Sequence, residues 1–308
     1  MIIYDSNSAW FRDIFNSFKS TTLVKLFIRI LVIGITALIG IYFAHPHLDY
    51  FSVFNTKHFT WIGVALSILM VFRTNTAYDR WWEGRKQWGR LVNTARSIAL
   101  LVNSKVPIHD ESNRRYFAKN ISNYAYALSG HLRGIFRKDL LYDIEEGAEK
   151  ALEVHKHAPN YIAKNLYTRT VRLLEKGQLS EFIELKMLDH LAEFNEITGA
   201  CERIKSTPIP FSYRTYLKIF IFIYLLILPL AYMESLGFYA ALITMAQAFL
   251  ILGLEMMAEE IEDPFENNRN DLPTRHLSDI IRNNVYEILG FYDEVTAPRR
   301  PVRYRVLD

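Results

Sequence analysis

Cysteine is nearly absent from the chain, since Cys201 is the only one among 308 residues. A single thiol cannot form an intrachain disulfide framework, and it cannot supply the paired thiolates of a CxxC metal site. The sequence therefore excludes both a disulfide-stapled scaffold and a cysteine-based zinc protein. We interpret Cys201 as an inert, buried thiol.

An excess of charge of either sign is lacking as well. The 36 Lys and Arg residues nearly balance the 33 Asp and Glu residues, which leaves a net charge of +3. No overall basic bias therefore points to nucleic acid as a partner. Nucleophile-elbow, Walker and H-E-x-x-H signatures are also missing. We expect that the chain is not an enzyme.

Long apolar runs are what the sequence has instead. Half of its residues are hydrophobic although 22% are charged, and a bilayer core about 30 Å thick requires about 20 mostly apolar residues in a helix. We predict four transmembrane helices, at residues 23–44, 59–72 with a polar continuation to 78, 216–232 and 236–257. Pro229 is expected to kink the third helix near its end.

The distribution of basic residues predicts the orientation of these helices. Arg12, Lys19, Lys25 and Arg29 precede or open the first span, whereas the loop after it contains Lys57 as its only firm cation. By the positive-inside rule, both termini and the long middle region are cytoplasmic. We therefore predict a multi-pass protein of the cell membrane, which in a bacterium is the inner membrane.

The middle region is predicted to be helical. Apolar residues recur there at spacings of three and four, as in Trp88, Leu91, Ala95, Ile98 and Leu101. Strand-like alternation is rare, so the expected fold class is all-α. Helix breaks are expected near residues 105–111, 157–160 and 205–210.

The expected segments follow from these patterns. They are a cytosolic N-terminal segment (1–22), the first two spans (23–78), a cytosolic helical region (79–213), the last two spans (214–257), and a cytosolic C-terminal helical segment with a tail (258–308).

The second predicted span carries a stripe of apolar side chains. Val64, Ile68 and Phe72 are four residues apart, which places them along one helical stripe. In a single helix such a stripe indicates only packing. If several copies surrounded an axis, these side chains would form a narrow apolar neck that can gate by dewetting.

Three sequence runs carry a resemblance to a known family. VFRTNTAYDRWWEGRKQWG, GACERIKSTPIPFSY and EEIEDPFENNRNDLP occur in this order, and the chain resembles the prokaryotic branch of the bestrophin family over nearly its whole length. The resemblance implies a homopentameric ion channel with its neck at Val64, Ile68 and Phe72. It implies a second, cytosolic constriction at Phe182, with Glu181 beside it. The expected partners are other copies of the chain, membrane lipid and permeant monovalent ions, and not nucleic acid.

The resemblance also identifies the remnant of a calcium clasp that eukaryotic bestrophins carry. The candidate metal ligands of this remnant are Glu260, Asp263, Asn268 and Asp271. Asn268 stands where the clasp has a carboxylate, and Arg269 adds a positive charge. Because calcium affinity falls as ligand charge is lost, we expect no required cofactor and doubt that calcium gates the channel.

The sign of the conducted ion stays open in the sequence. The family default is chloride and other small anions. A ring of Glu181 would favour cations, whereas Arg73 would favour anions if its side chain faced the axis. At the membrane boundary, Arg73 could equally extend to lipid phosphates or pair with Asp79 or Glu83. An anion channel is the first hypothesis, and a sodium- or potassium-selective channel of the same fold is the alternative.

Hypotheses of other classes compete with a channel. Glu255, Glu259 and Glu262 share one helical face, an arrangement that suits the ligands of a di-metal membrane enzyme. Glu-x-x-His pairs are missing, however, so a salt-bridged helix end is preferred. A secondary transporter would show an internal repeat, which the sequence lacks. A non-conducting membrane scaffold or sensor fits the sequence as well.

Overall fold

Helices account for most of the fold, as the sequence predicts. A computed structural model describes residues 2–4, 21–47, 56–135, 141, 157–266, 268, 270–295 and 304–306. Within these ranges the α-helices are α1 (Thr21–Ala44), α2 (Thr56–Lys105), α3 (Glu111–Leu132), α4 (Ala158–Glu175), α5 (Glu181–Ser206), α6 (Phe211–Leu236), α7 (Ala240–Glu262) and α8 (Thr274–Ile288). Short 3-10 turns occur at His45–His47, Gly237–Tyr239 and Tyr292–Glu294.

A small strand pair accompanies the helices. Strand β1 (Ile2–Tyr4) pairs antiparallel with β2 (Tyr304–Val306), and Ile3 lies opposite Arg305. This pairing cannot be predicted from the sequence, because three residues are too few to show a strand pattern.

Three helical segments of the described chain are long and apolar enough to cross a membrane, namely Thr22–Ala44, Phe59–Lys105 and Phe211–Glu262. The last segment contains both α6 and α7. Pro229 lies inside α6, which continues past it to Leu236. Gly237 then ends the helix with a φ of +53°, a left-handed conformation that glycine adopts without a steric penalty. Leu236 is therefore the last residue of α6. The sequence prediction had placed it at the start of the next helix instead.

Helix α2 is much longer than its predicted span. It runs for 50 residues, whereas the sequence prediction followed it only to residue 78. Apolar residues of its second part, including Trp88 and Leu91, are fully buried. Their helical spacing therefore continues the same helix and does not start a new one.

The chain divides into two compact units. Residues 5–79 and 208–262 form one unit, which we call the span unit, and residues 1–4, 80–207 and 263–308 form the other, which we call the body unit. The division falls between residues 79 and 80, 207 and 208, and 262 and 263, where the sequence predicts boundaries at 78, 213 and 257. Each unit has its own hydrophobic core.

Large aromatic side chains fill the core of the body unit. Trp88, Phe117 and Phe194 are fully buried. Tyr124 stacks on Phe194 with 4.4 Å between ring centroids, and its hydroxyl donates a hydrogen bond to the Phe194 carbonyl at 2.8 Å. Burial of such side chains supplies several kcal/mol each, so this unit is stabilised mainly by its own interior.

The core of the span unit is smaller and depends on close helix approach. A Cβ added at Gly34 would lie 2.6 Å from Met245 Sδ, and one added at Gly63 would lie 2.7 Å from the Tyr224 hydroxyl oxygen. Small residues allow membrane helices to pack tightly where burial from water gives no driving force. These two glycines therefore set the contacts of α1 with α7 and of α2 with α6.

Candidate ion-conduction surfaces

One face of the first part of α2 packs into the span unit. Leu66, Met70, Arg73 and Ala77 are all fully buried or nearly so. Their spacing of four, three and four residues is that of one helical stripe. This buried stripe fixes the rotation of α2 about its own axis.

The predicted neck residues lie on the other face of α2. Val64 is 47% exposed, Ile68 is 52% exposed and Phe72 is 61% exposed. The Ser67 hydroxyl between them donates to the carbonyl of Gly63 at 2.8 Å, so it is satisfied within the helix. The three side chains thus form a continuous apolar surface that could line a pore or contact lipid or another copy of the chain.

Arg73 does not share this exposed surface. Its side chain is fully buried, and its Nη2 lies 2.6 Å from Oε2 of Glu262 at the end of α7. The other oxygen of Glu262 accepts the backbone N–H of Ile209 at 3.0 Å. Of the alternatives for Arg73, the structure shows a carboxylate pair, but the partner is Glu262 and not Asp79 or Glu83. Arg73 lies seven residues after Leu66, so helical spacing could have placed it on the buried stripe.

The acidic face of α7 is paired with cations. Lys218 Nζ lies 2.8 Å from Glu259 and 3.6 Å from Glu255, and Glu262 is paired with Arg73. These contacts support a salt-bridged helix end, which the sequence analysis preferred over a di-metal centre.

Phe182 and Glu181 occupy the first turn of α5. Phe182 is 67% exposed, and Glu181 is exposed as well. A glutamate in the first turn of a helix stabilises the helix by its interaction with the helix dipole. Glu181 therefore has a structural role that does not depend on ion conduction. Both side chains are accessible on the body unit.

The predicted calcium ligands have protein partners of their own. In the body unit, Lys205 Nζ lies 2.7 Å from Asp263, and Asp271 accepts a hydrogen bond from the backbone N–H of Asn268. In the span unit, Glu260 accepts a hydrogen bond from the Thr22 hydroxyl at 3.3 Å. A lysine beside Asp263 supplies the positive charge that a cation would otherwise bring. Arg269 lies outside the described residues.

A polar cluster in the body unit is not evident from the sequence. His131, His157 and Glu202 come together there, although 71 residues separate the first from the last. Burial would raise the pKa of the Glu202 carboxyl, but hydrogen bonds from His157 and His131 outweigh burial and lower it. Histidines that are scattered in the sequence give no local pattern, so only the tertiary structure reveals the cluster.

Cys201 precedes Glu202 of this cluster in the sequence, and its side chain is fully buried. Burial raises the pKa of its thiol to about 12, so the thiol stays protonated at neutral pH and is a poor nucleophile and metal ligand. The prediction that Cys201 is buried is confirmed, and the raised pKa supports the interpretation that the thiol is inert.

Comparison with protein families decides the class of the chain. A family model described as bacterial/fungal bestrophin protein matches residues 1–287. The chain belongs to this bestrophin family. The match confirms the resemblance seen in the sequence. Bestrophins are channels and not enzymes, so the expectation that the chain is not an enzyme is confirmed as well.

Individual relatives agree with this assignment. The chain is 34% identical over 241 residues to a voltage-dependent anion channel-forming protein of Mesorhizobium japonicum, covering 78% of this chain and 77% of the relative. It is 29% identical over 294 residues to the voltage-dependent anion channel-forming protein YneE of Escherichia coli, covering 94% of each.

A solved structure shows the same fold. The bacterial bestrophin homolog from Klebsiella pneumoniae superposes with a TM-score of 0.80 at 24% identity, covering 86% of this chain and 98% of that one. The chain is thus a membrane protein with the bestrophin fold.

Proposed function

We propose that the chain is one subunit of an anion-conducting membrane channel in which several copies surround a central ion path. The observation that carries this proposal is the two-faced helix α2. One face is packed into the subunit, while Val64, Ile68 and Phe72 present an apolar stripe on the other. Curated relatives of similar length are named anion channel-forming proteins, so chloride is the first candidate ion.

The proposed subunit crosses the membrane four times. Its spans are α1, the first part of α2, α6 and α7, with both termini and the body unit in the cytoplasm. The three-residue connection Gly237–Tyr239 between α6 and α7 supports two separate spans within the last apolar segment. The basic residues around the start of α1 support the cytoplasmic location of the N-terminus.

Five copies are proposed, because the resemblance to bestrophins implies a homopentamer. Many large apolar side chains of the span unit are exposed in the single chain, including Ile28, Phe222 and Leu250. Such a surface requires lipid or other copies as its environment. In the assembly, the neck is formed by the stripe on α2 and a second constriction by Phe182.

Selectivity for anions is the finer part of the proposal. Arg73 cannot supply it as a free charge in the neck, since it is buried in an ion pair with Glu262. An apolar neck binds ions weakly and need not choose their sign. Exposed Glu181 beside Phe182 favours the second candidate, a cation-selective channel.

The neck is tested by the triple variant Val64→Ala, Ile68→Ala and Phe72→Ala. Because smaller side chains widen an apolar constriction and ease its wetting, open probability in a planar bilayer should rise. The matched control truncates Val24, Ile28 and Phe27 of α1, which are also exposed and of the same three residue types. Equal currents in the wild type and the neck variant would contradict the assignment.

No calcium or other cofactor is proposed for conduction. The pairing of Asp263 with Lys205 supports this view, since it compensates the carboxylate charge without a metal. Currents should therefore persist when calcium is removed with a chelator. Loss of current on chelation, followed by recovery on adding calcium, would show that the clasp remnant is functional.

A further inference from the structure

Three side chains from three helices of the body unit converge on one point. His131 belongs to the last turn of α3, His157 is the N-cap of α4, and Glu202 lies in α5. Nε2 of each histidine lies 2.7 Å from the same carboxylate oxygen, Oε1 of Glu202. The two imidazole rings are 4.3 Å apart between centroids.

The donor atoms of this cluster suit zinc. Two imidazole nitrogens and one carboxylate oxygen form a His₂Glu set, which zinc binds in proteins with a fourth position left open. Bonds of about 2.0–2.2 Å in tetrahedral geometry separate the ligand atoms by roughly 3.4 Å. The ligand atoms of the cluster lie within 4.8 Å of one another, so small side-chain rotations are sufficient to surround an ion.

An ion can reach the cluster from solvent. The side chains of His131, His157 and Glu202 are 26%, 29% and 38% exposed. A cavity of about 570 Å³ borders His157 and Glu202, and Lys164 and Tyr167 also line it. The cavity gives room for a water molecule as fourth ligand and provides the entry path that a metal site requires.

We propose that His131, His157 and Glu202 bind a zinc ion that joins α3, α4 and α5 of the body unit. The site is separate from the stripe on α2 and from the calcium clasp remnant, and it does not depend on the proposed conduction. Its expected role is to hold three helix segments of the body unit together.

The competing role of the cluster is a metal-free hydrogen-bond network. Nδ1 of His157 accepts the backbone N–H of Asn160 at 3.2 Å, so in the metal-free protein the imidazole proton sits on Nε2 and faces Glu202. When Nε2 binds zinc, the neutral imidazole carries its proton on Nδ1 instead. Nδ1 then can no longer accept the Asn160 N–H, and the cap hydrogen bond is lost. The affinity for zinc is therefore lower than that of a site without such competition.

The test is a zinc titration of the full-length protein, purified in detergent and stripped with a chelator, in competition with a chromophoric zinc indicator. We expect one zinc per chain. His131→Gln and His157→Asn should each lower the affinity at least about tenfold, because even indirect support of a zinc ligand is worth that much. Asparagine is a preferred N-cap, so His157→Asn removes the ligand while it keeps the start of α4.

His190→Gln is the matched control, since His190 also stands beside a single carboxylate, Glu193 at 3.9 Å. It should leave zinc affinity unchanged. Equal affinity in wild type, His131→Gln and His157→Asn would overturn the proposal, as would no binding at micromolar zinc.

X-ray absorption of the zinc-loaded wild type keeps the proposal testable if the variants do not fold. The spectrum should show two imidazole nitrogens and oxygen ligands. A sulfur ligand, or a shell without imidazole, would refute the site. None of these readouts depends on channel current, so failure here leaves the proposed function intact.

Discussion

The two units use apolar side chains in opposite ways. The body unit hides its largest ones, such as Trp88 and Phe194, in a core of its own, whereas the span unit leaves Ile28, Phe222 and Leu250 exposed. A water-soluble surface rarely carries so many large apolar groups together. The body unit is therefore stabilised from within, and the span unit depends on lipid or on neighbouring copies.

The two units also differ in the partners that they give to buried arginine side chains. In the span unit, Arg73 is buried against a carboxylate, Glu262. In the body unit, buried Arg114 donates hydrogen bonds to the carbonyls of Val106 and Leu289 at 3.0 and 3.1 Å. The first arrangement neutralises a charge, whereas the second ties chain segments together where backbone carbonyls lack helical partners.

The largest effect should come from emptying the core of the body unit. Phe194→Ala is expected to cost about 3–5 kcal/mol of stability, because it leaves a cavity and removes the contact with Tyr124. Phe222→Ala, an equal truncation at an exposed position of the span unit, should change stability by no more than about 0.5 kcal/mol. Thermal unfolding in detergent measures both. Equal losses would break the contrast between the units.

The buried ion pair of the span unit should give the next largest effect. Arg73→Met is expected to cost about 3 kcal/mol, because it leaves the Glu262 carboxylate buried without a cation. The value is at the low end of such losses, since the Ile209 N–H still donates to Glu262. The measurement is thermal unfolding in detergent, and Arg73→Met with Glu262→Leu should recover most of the loss.

The control for this pair is Lys86→Met. Lys86 lies 2.6 Å from Glu83 in an exposed pair of the body unit, and exposed pairs contribute about 0–1 kcal/mol. If Arg73→Met were as mild as Lys86→Met, the pair in the span unit would not be a structural determinant of α2.

The smallest effect concerns helix caps of the body unit. The side chain of Asp110 caps α3 by accepting the backbone N–H of Asn113, whereas Ser180 precedes α5 without a side-chain cap bond. Asp110→Ala should cost about 1 kcal/mol at neutral pH, and Ser180→Ala should cost almost nothing. Chemical denaturation of the two variants measures the difference.

This cap effect should depend on pH. Burial would raise the pKa of the Asp110 carboxyl, but hydrogen bonds from Asn113 lower it below its usual value. A carboxyl with a lowered pKa in the folded state stabilises fully above its unfolded pKa of about 3.9. The cost of Asp110→Ala should therefore shrink as the pH falls below about 4. A cost that grew towards acid pH would contradict the assigned sign.

The sequence predicted what local patterns encode. Apolar runs showed the segments that become α1, α6 and α7, and helical spacing in the middle region showed a helical body. The helix end at Gly177 was missed, although it carries a signal. Gly177 has a φ of +67°, and the N–H of Gln178 reaches the Leu173 carbonyl at 2.9 Å, which is a glycine-capped helix end.

The rest depended on contacts between distant residues. The sequence shows Glu262 only as part of an acidic face, because nothing near it in the chain indicates that Arg73 is its partner. The same holds for His131, His157 and Glu202, which belong to three different helices. The neck stripe could be predicted as a stripe from its spacing, whereas its place around an axis came only from the family resemblance.

The reversal potential of the purified protein in a planar bilayer, under a KCl gradient, tests the central claim most directly. We expect a value near the chloride equilibrium potential that does not change in Glu181→Gln. A value near the potassium equilibrium potential that shifts in Glu181→Gln would contradict anion conduction and establish the acidic residue as a cation selector. An intact assembly without any current would contradict the channel itself and favour a membrane scaffold.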